Sequence, residues 1–420
     1  MRARGGRLSR LVAVGASSAF WVALLAPQVS WAREISFADA RAAAEWAAPD
    51  VQLAQRRVDV SAAEVQVAGT MANPTLTVST ARQTARLGTS VGVPLPLFGQ
   101  RSTSVKAARA DADAVRLDVE VSRREVRWRA TVAWVDLWES QERARLLELA
   151  ATDADRLFQI ANERFDAGTG PRLDVIRTKA DRARAAAEAD ATRRLVWAAA
   201  ARLAPWIGAP PDDELTATGK PGYPEDLSLT IGKLEERLSD HPTLHRDRAQ
   251  VTAAALHLQN EERLRWPMVT PQLTLNQFDP TLPGPDFIVG LSLDLPVLSL
   301  RGGATARARA QRAFAETATS ADERRLHSEL CDAYRRTEGA SVRLRALREQ
   351  VLPSMKEARD MTEEGYRSGR IDLIRLLEAQ RALLDSRLAE VEAAAFRSRA
   401  VADLENAAGT DFWEGSTYAP

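Results

Sequence analysis

The residue types that most often hold a metal are sparse in this chain of 420 residues: His241, His245, His257, His327 and the single thiol, Cys331. His241 and His245 stand at i, i+4, a spacing that sets two imidazoles on one helical face, but Pro242 lies between them and no third ligand follows. Cys331 sits in the helical run Leu330-Cys331-Asp332-Ala333-Tyr334, where a lone cysteine forms no intrachain disulfide and reads as a small buried core residue. No phosphate-cradling G-x-x-x-x-G-K-[ST] is present, and neither G-x-S-x-G nor H-E-x-x-H stands in a convincing context. The chain is therefore expected to be no enzyme, to hold no metal and no cofactor, and to take its energy from elsewhere. With 57 basic against 57 acidic side chains it also lacks the positive footprint of a nucleic-acid binder.

Two further clusters surround glycine. Gly168-Thr169-Gly170-Pro171-Arg172-Leu173-Asp174 and Ser368-Gly369-Arg370-Ile371-Asp372 each follow a long helical stretch and precede another. Glycine supplies the positive φ that ends a helix, and Pro171 opens the returning one, so both read as tips of helical hairpins, at about 168–171 and 368–370. Arg370, Asp372, Arg375 and Glu378 then place four charges at the start of the second returning helix. Read by themselves they make a solvated helix face with an internal i, i+3 pair.

The elements that carry these tips occur twice, about 200 residues apart. Asn73-Pro74-Thr75-Leu76-Thr77 matches Thr270-Pro271-Gln272-Leu273-Thr274, and Ser90-Val91-Gly92-Val93-Pro94-Leu95-Pro96-Leu97 matches Gly290-Leu291-Ser292-Leu293-Asp294-Leu295-Pro296-Val297. Apolar and polar residues alternate, which predicts strands at about 74–82, 88–97, 271–279 and 286–296. Strands of this length suit a tilted crossing of a bilayer, with one face to lipid and the other, including Asp294, to a wet lumen. Four strands close no barrel, so closure requires several copies. The alternative is a pair of hairpins packed on a soluble helical domain.

Ser102 to Ala167 contains neither proline nor glycine, enough for a helix of about 100 Å. Its counterpart runs from Gly303 to about Glu364, interrupted by Gly339 and Pro353. Val115, Val126 and Leu137 recur every 11 residues, a period that predicts straight or slightly right-handed packing. Ile374, Leu377, Leu384, Leu388 and Val391 instead keep a seven-residue spacing suited to an ordinary coiled-coil seam. The alanine row Ala180, Ala183, Ala187 and Ala191 permits close helix approach or simply supplies helix propensity. Before all this, residues 1–32 carry arginines, an apolar run from Leu11 to Ala26, and Ser30-Trp31-Ala32, the pattern of a cleaved signal peptide. Cleavage removes four arginines and leaves a net charge of about −4. The expected organisation is thus signal peptide 1–32, first repeat 33–215, second repeat 216–410 and tail 411–420.

On these motifs the sequence resembles the TolC-like outer-membrane efflux proteins over about residues 34–410. Pro94-Leu95-Pro96-Leu97-Phe98-Gly99-Gln100-Arg101, the first tip, and Tyr366 to Ile374 with Glu378-Ala379-Gln380-Arg381 carry the likeness. Among them it is most similar to outer-membrane components of cobalt-zinc-cadmium type heavy-metal efflux. The resemblance implies a mainly α fold with a small β part: a homotrimer whose chains each give four strands to one outer-membrane barrel, continued by a periplasmic α-helical tunnel. It implies a passive exit duct for heavy-metal cations, docked through its tips (Gly168, Gly170, Pro171, Arg172, Asp174, Ser368, Gly369) onto a periplasmic adaptor. Through the adaptor it would meet an inner-membrane pump of the resistance-nodulation-division type. The family's constricting acidic pair maps to Arg375 and Glu378, of which only Glu378 keeps the pattern; Arg370 and Asp372 are further gate candidates. Ile371 stands where the family has an arginine. A drug-efflux or type I secretion duct, and a soluble periplasmic coiled-coil scaffold, are the competing readings.

Overall fold

The computed structural model of the protein describes residues 33–82, 86–224, 230–278, 284–295 and 300–413. The expected signal peptide lies outside them, as do residues 279 and 296 at two expected strand ends and 414–420 of the expected tail.

The first repeat opens with β1 (Arg33–Ser36), α1 (Phe37–Ala47) and α2 (Pro49–Gly69). A hairpin of β2 (Thr75–Ser79) and β3 (Leu87–Gly92) leads into α3 (Gln100–Asp166), which returns as α4 (Arg172–Leu203) and β4 (Leu215–Thr218). In the second repeat α5 (Ile231–Arg237) and α6 (Pro242–Arg263) precede β5 (Met268–Gln277) and β6 (Asp286–Asp294). Then come α7 (Gly302–Ala346), α8 (Leu352–Arg367) and α9 (Leu373–Ala408). The duplication shows in local chemistry: α2 and α6 both begin on a proline, where the missing N–H removes one of the donors that helix starts leave unpaired.

α3 has 67 residues and so extends about 100 Å. Its inward row matches the 11-residue period from Val126 on, with Val126, Ala130, Ala133 and Leu137 buried and Val115 half-buried. The second long helix runs unbroken through Gly339 and is interrupted at Leu347–Val351 by a wider π-type turn. Pro353 explains its position: it lacks an N–H and its ring crowds the carbonyl four residues earlier, and the wider turn relieves both. The expected coiled-coil seam is displaced by one residue. Leu373, Leu376 and Leu383 are the buried positions in the first half of α9, whereas Leu377, Leu384, Leu388 and Val391 are half-buried and Ile374 is exposed; from Ala393 on the helix enters the main core. The alanines of α4 at 180, 183, 187 and 191 are exposed; Thr178, Ala189, Thr192, Ala199, Ala200 and Leu203 are its buried positions.

Residues Ala32–Pro420 form one unit whose main core lies where α1, α3, α4, α6, α7 and α9 meet. Trp134 is fully buried there and its indole N–H donates to the Ile35 carbonyl at 3.0 Å. A parallel pairing of β1 with β4, which the alternation pattern did not indicate, seals this core. A buried ion pair crosses it: Arg41 donates two bonds of 2.7 Å to Glu405, which also accepts from the Tyr223 hydroxyl at 2.9 Å and the Phe412 N–H at 3.0 Å. Burial would lower the Arg41 guanidinium, but Tyr223 and Glu405 outweigh it and hold it above its ordinary value. Every oxygen of the carboxylate thus has a partner, which meets on the acidic side the condition under which a buried charge is tolerated, while Arg41 Nε is buried with no hydrogen-bond partner among the described residues.

Candidate functional site

The strands form one antiparallel sheet in the order β2-β3-β5-β6, so the two repeats join edge to edge through β3 and β5. Pairing continues past β3 because Val93 and Leu95 donate to the Pro271 and Val269 carbonyls at 3.1 and 2.8 Å. Pro94 and Pro96 fall on the alternate positions, where no donor is needed toward β5. The register aligns most like residues: Leu76, Val91, Leu273 and Val289 form one cross-strand row, and Thr77, Ser90 and Thr274 belong to a row of the opposite parity that ends on Ile288, an exposed apolar residue on the otherwise polar face. One face therefore carries Leu76, Val78, Val91, Leu273, Phe287, Val289, Leu291 and Leu293, all exposed, with Val289 at 83%. The other carries Thr75, Thr77, Ser90, Gln272, Thr274 and Asn276, tied in part by the Thr274 hydroxyl donating to Ser90 Oγ at 3.1 Å. Asp294, paired with Met268, is exposed and shares the parity of Ser292 and Gly290 on this polar face.

The junction from sheet to helix is built by the Phe98-Gly99-Gln100-Arg101 segment. Gly99 takes φ +85°, and the buried Gln100 side chain accepts from the Phe98 N–H at 3.0 Å while donating to the Trp266 carbonyl at 3.3 Å. Phe98 stacks on Trp266 at 5.5 Å, and Arg101 donates to the Gly69 carbonyl at 2.6 Å. This segment fastens the start of α3 to the second hairpin, a structural task that accounts for its composition.

At the far end of the helices both tips use the same hydrogen-bond pattern. Gly168, at φ +70°, donates to Phe165 and Thr169 donates to Arg164; Gly369, at φ +73°, donates to Tyr366 and Arg370 donates to Gly365. Gly170 has a different reason to be glycine: a Cβ there would stand 3.1 Å from the Cβ of Arg164. Pro171 caps α4, with Arg172 exposed and Asp174 in its first turn. The tips are joined through Tyr366, which packs with Leu157, Leu373 and Leu376 and lies under the Arg164 guanidinium at 5.1 Å. A groove between α3, α4, α8 and α9 opens beside them, crossed by an ion pair of Arg381 with Asp181.

The four charges of the second tip are distributed as follows. Asp372 caps α9 by accepting from the Arg375 N–H at 3.4 Å, and its carboxylate lies 3.9 Å from the Arg375 guanidinium. Arg370 donates to the Ser368 hydroxyl at 2.9 Å. Among the described residues Glu378 has no ion-pair partner within the chain, and Arg375 pairs with Asp372 rather than with Glu378.

His241 and His245 do not converge on a ligand. His241 is buried: its Nδ1 accepts from the Thr243 N–H at 3.2 Å, and its Nε2 lies 3.1 Å from the Asn406 carbonyl, so it caps α6. Burial lowers the imidazole from its ordinary value, against the pull of that carbonyl. Cys331 is half-buried rather than a core residue, and it does not stand alone: His327 lies one turn before it and Glu235 faces both from α5. Sequence reasoning missed this grouping because Glu235 is distant in the chain; the i, i+4 spacing of His327 and Cys331 was the available signal.

Among the described residues no helix is long and apolar enough to cross a membrane. The family model for outer membrane efflux proteins matches residues 41–209 and 244–410. The cobalt-zinc-cadmium resistance protein CzcC of Cupriavidus metallidurans is 23% identical over 343 residues, 81% of each chain. Nodulation protein T of Rhizobium leguminosarum bv. trifolii is 24% identical over 367 residues, 80% of this chain and 77% of that one. Among solved structures, the outer membrane protein VceC from Vibrio cholerae superposes with a TM-score of 0.72 at 17% identity, covering 90% of this chain and 96% of that one.

Proposed function

Because the chain belongs to the outer membrane efflux protein family, we propose that it is the exit duct of a tripartite efflux system, a homotrimer that passively conducts heavy-metal cations from a periplasmic adaptor and inner-membrane pump to the exterior. The observation that carries this reading is the four-stranded sheet with one exposed apolar face, one polar face and free edges at β2 and β6. Such edges are satisfied in a bilayer only by further strands, and identical copies supply them with the same parity. The 10 residues of β5 extend about 33 Å, and the 9 of β6 about 30 Å, enough for a tilted crossing, whereas regular pairing in β2 and β3 covers 5 and 6 residues, shorter than the sequence pattern predicts. Trp266 and Phe98 at one end, and Phe278 and Phe287 at the other, supply aromatic side chains at both interfaces.

In this arrangement lipid meets the Leu273 and Val289 row, and Asp294 faces the lumen. The tips, with Gly168, Gly170, Pro171, Arg172, Asp174, Ser368 and Gly369, dock the adaptor. Arg375 and Glu378, with Arg370 and Asp372, form the periplasmic gate. Residues 1–32 direct export and are removed.

Heavy-metal cargo is favoured by the similarity to CzcC; the similarity to a nodulation protein at the same level of identity keeps other cargo open as the second reading. Fractionation of the expressed protein, with mass determination of the detergent-solubilised species, tests the duct: a trimer in the outer membrane is expected. A water-soluble periplasmic monomer, the scaffold alternative, would overturn it. Loss of zinc and cobalt tolerance on deletion, with drug tolerance unchanged, is the expected outcome for cargo.

A further inference from the structure

Where α5 packs against α7, three different ligand types converge. His327 Nε2 lies 3.2 Å from a Glu235 carboxylate oxygen, and Cys331 Sγ lies 3.9 Å from the other ring nitrogen, Nδ1, so an ion takes one nitrogen and the remaining ligand closes on it by a side-chain rotation. One ligand atom from each residue falls within 4.8 Å of the other two. The geometry points to a cation site formed by Glu235, His327 and Cys331 that takes a borderline-soft divalent ion of the zinc class through one carboxylate oxygen, one imidazole nitrogen and one sulfur.

The donor set argues for that class. Sulfur and imidazole favour Zn2+ and Co2+ over the oxygen-seeking Mg2+ and Ca2+. Zinc bonds of about 2.0–2.3 Å place tetrahedral ligands roughly 3.3–3.7 Å apart, so these side chains need contract by only about 1 Å. The supporting backbone is fixed, because each ligand adjoins a residue of the main core: Leu234 beside Glu235, Leu326 beside His327, and Leu330 beside Cys331, with Leu330 at 0% exposure. His327 and Cys331 share one helical face at i, i+4, so two ligands are held by α7 alone and Glu235 closes the site from α5. An ion pair of Glu235 with His327 requires no thiol; the half-buried sulfur at the third corner is what turns the pair into a donor set. Binding releases the Cys331 thiol proton to solvent, forms the sulfur–metal bond and leaves a fourth position for water.

The site stands apart from the duct reading, since neither membrane insertion nor cargo enters the argument. Cys331 is the chain's single thiol, so alkylation of the full-length, detergent-solubilised protein reports on this position alone. Zn2+ is expected to slow iodoacetamide alkylation at least tenfold, Mg2+ not at all, and the Zn2+ effect is expected to fall below threefold in His327→Ala and to weaken in Glu235→Gln. Titration with Co2+ is expected to give a thiolate charge-transfer band at one ion per chain, absent in Cys331→Ser. Zinc protection below threefold in the unaltered protein, or equal protection in His327→Ala, would overturn the site. These outcomes do not depend on the trimer or on transport, so failure here and failure of the duct are read separately.

Discussion

Gly168 and Gly369 end their helices in the left-handed region, where a Cβ is crowded by its own backbone whatever space surrounds it. Gly369→Ala should therefore cost about 1–2 kcal/mol, read as a lower midpoint in thermal unfolding followed by circular dichroism. Gly365 is constrained differently: a Cβ there would meet Ile371 Cδ1 at 2.5 Å and Cγ1 at 2.7 Å. Gly365→Ala should destabilise the tip by about 1–3 kcal/mol of overpacking, and Ile371→Ala in the same chain should restore most of the loss. These glycine turns were legible in the sequence because a positive φ leaves a mark on residue type; the clash of Gly365 with Ile371 was not, because it arises only once the turn has folded back. His241 belongs to the same class. Its folded imidazole is held below the ordinary value of about 6.5, so its contribution is present above that value and is lost as pH falls from there through the lowered folded value. Protonation would also set a hydrogen on Nδ1 against the Thr243 N–H. The unfolding midpoint should drop between pH 7.5 and 5.5, and His241→Asn, which keeps an acceptor for Thr243 but does not titrate, should show a smaller drop.

For the sheet, alternation in the sequence fixes which side chains share a face, since a period of two admits one assignment. The Leu76, Val91, Leu273, Val289 row realises that pattern across strands from both repeats. Strand ends were less legible: regular pairing of the first hairpin covers Thr75–Ser79 and Leu87–Gly92, with the extension through Val93 and Leu95 set by a partner strand far along the chain. The same limit hid the β1–β4 pairing and the contact of Glu235 with His327, which join residues across long sequence separations. A parity experiment follows. Leu273→Arg sets a charge on the apolar face and should cost about 2–4 kcal/mol near the bilayer midplane, seen as loss of outer-membrane assembly. Thr274→Arg, one residue on and facing the opposite way, should assemble and alter conduction instead. Equal loss of assembly in both variants would refute the assigned parity.

At the level of the assembled molecule, Arg375 and Glu378 are informative because they do so little within one chain. Both are exposed, Glu378 has no intrachain ion pair among the described residues, and the Arg375–Asp372 contact of 3.9 Å is of a kind worth about 0–1 kcal/mol. Leu373 and Leu376, on the inward face, hold α9 against the tip core without them. Replacing both charges by alanine should therefore leave the thermal midpoint of the detergent-solubilised protein nearly unchanged. If three copies bring Arg375 of one chain to Glu378 of the next, the same double variant removes the contacts that close the tip, and single-channel conductance in a planar bilayer should rise. Glu378→Arg alone would place like charges around the ring and should open it further, with recovery when Arg375→Glu is added, because the exchanged pair restores attraction. An altered midpoint would mean that the charges serve the fold. An unaltered midpoint with unaltered conductance would remove them from the gate and leave only the glycine turns and the Tyr366 cluster to close the tip.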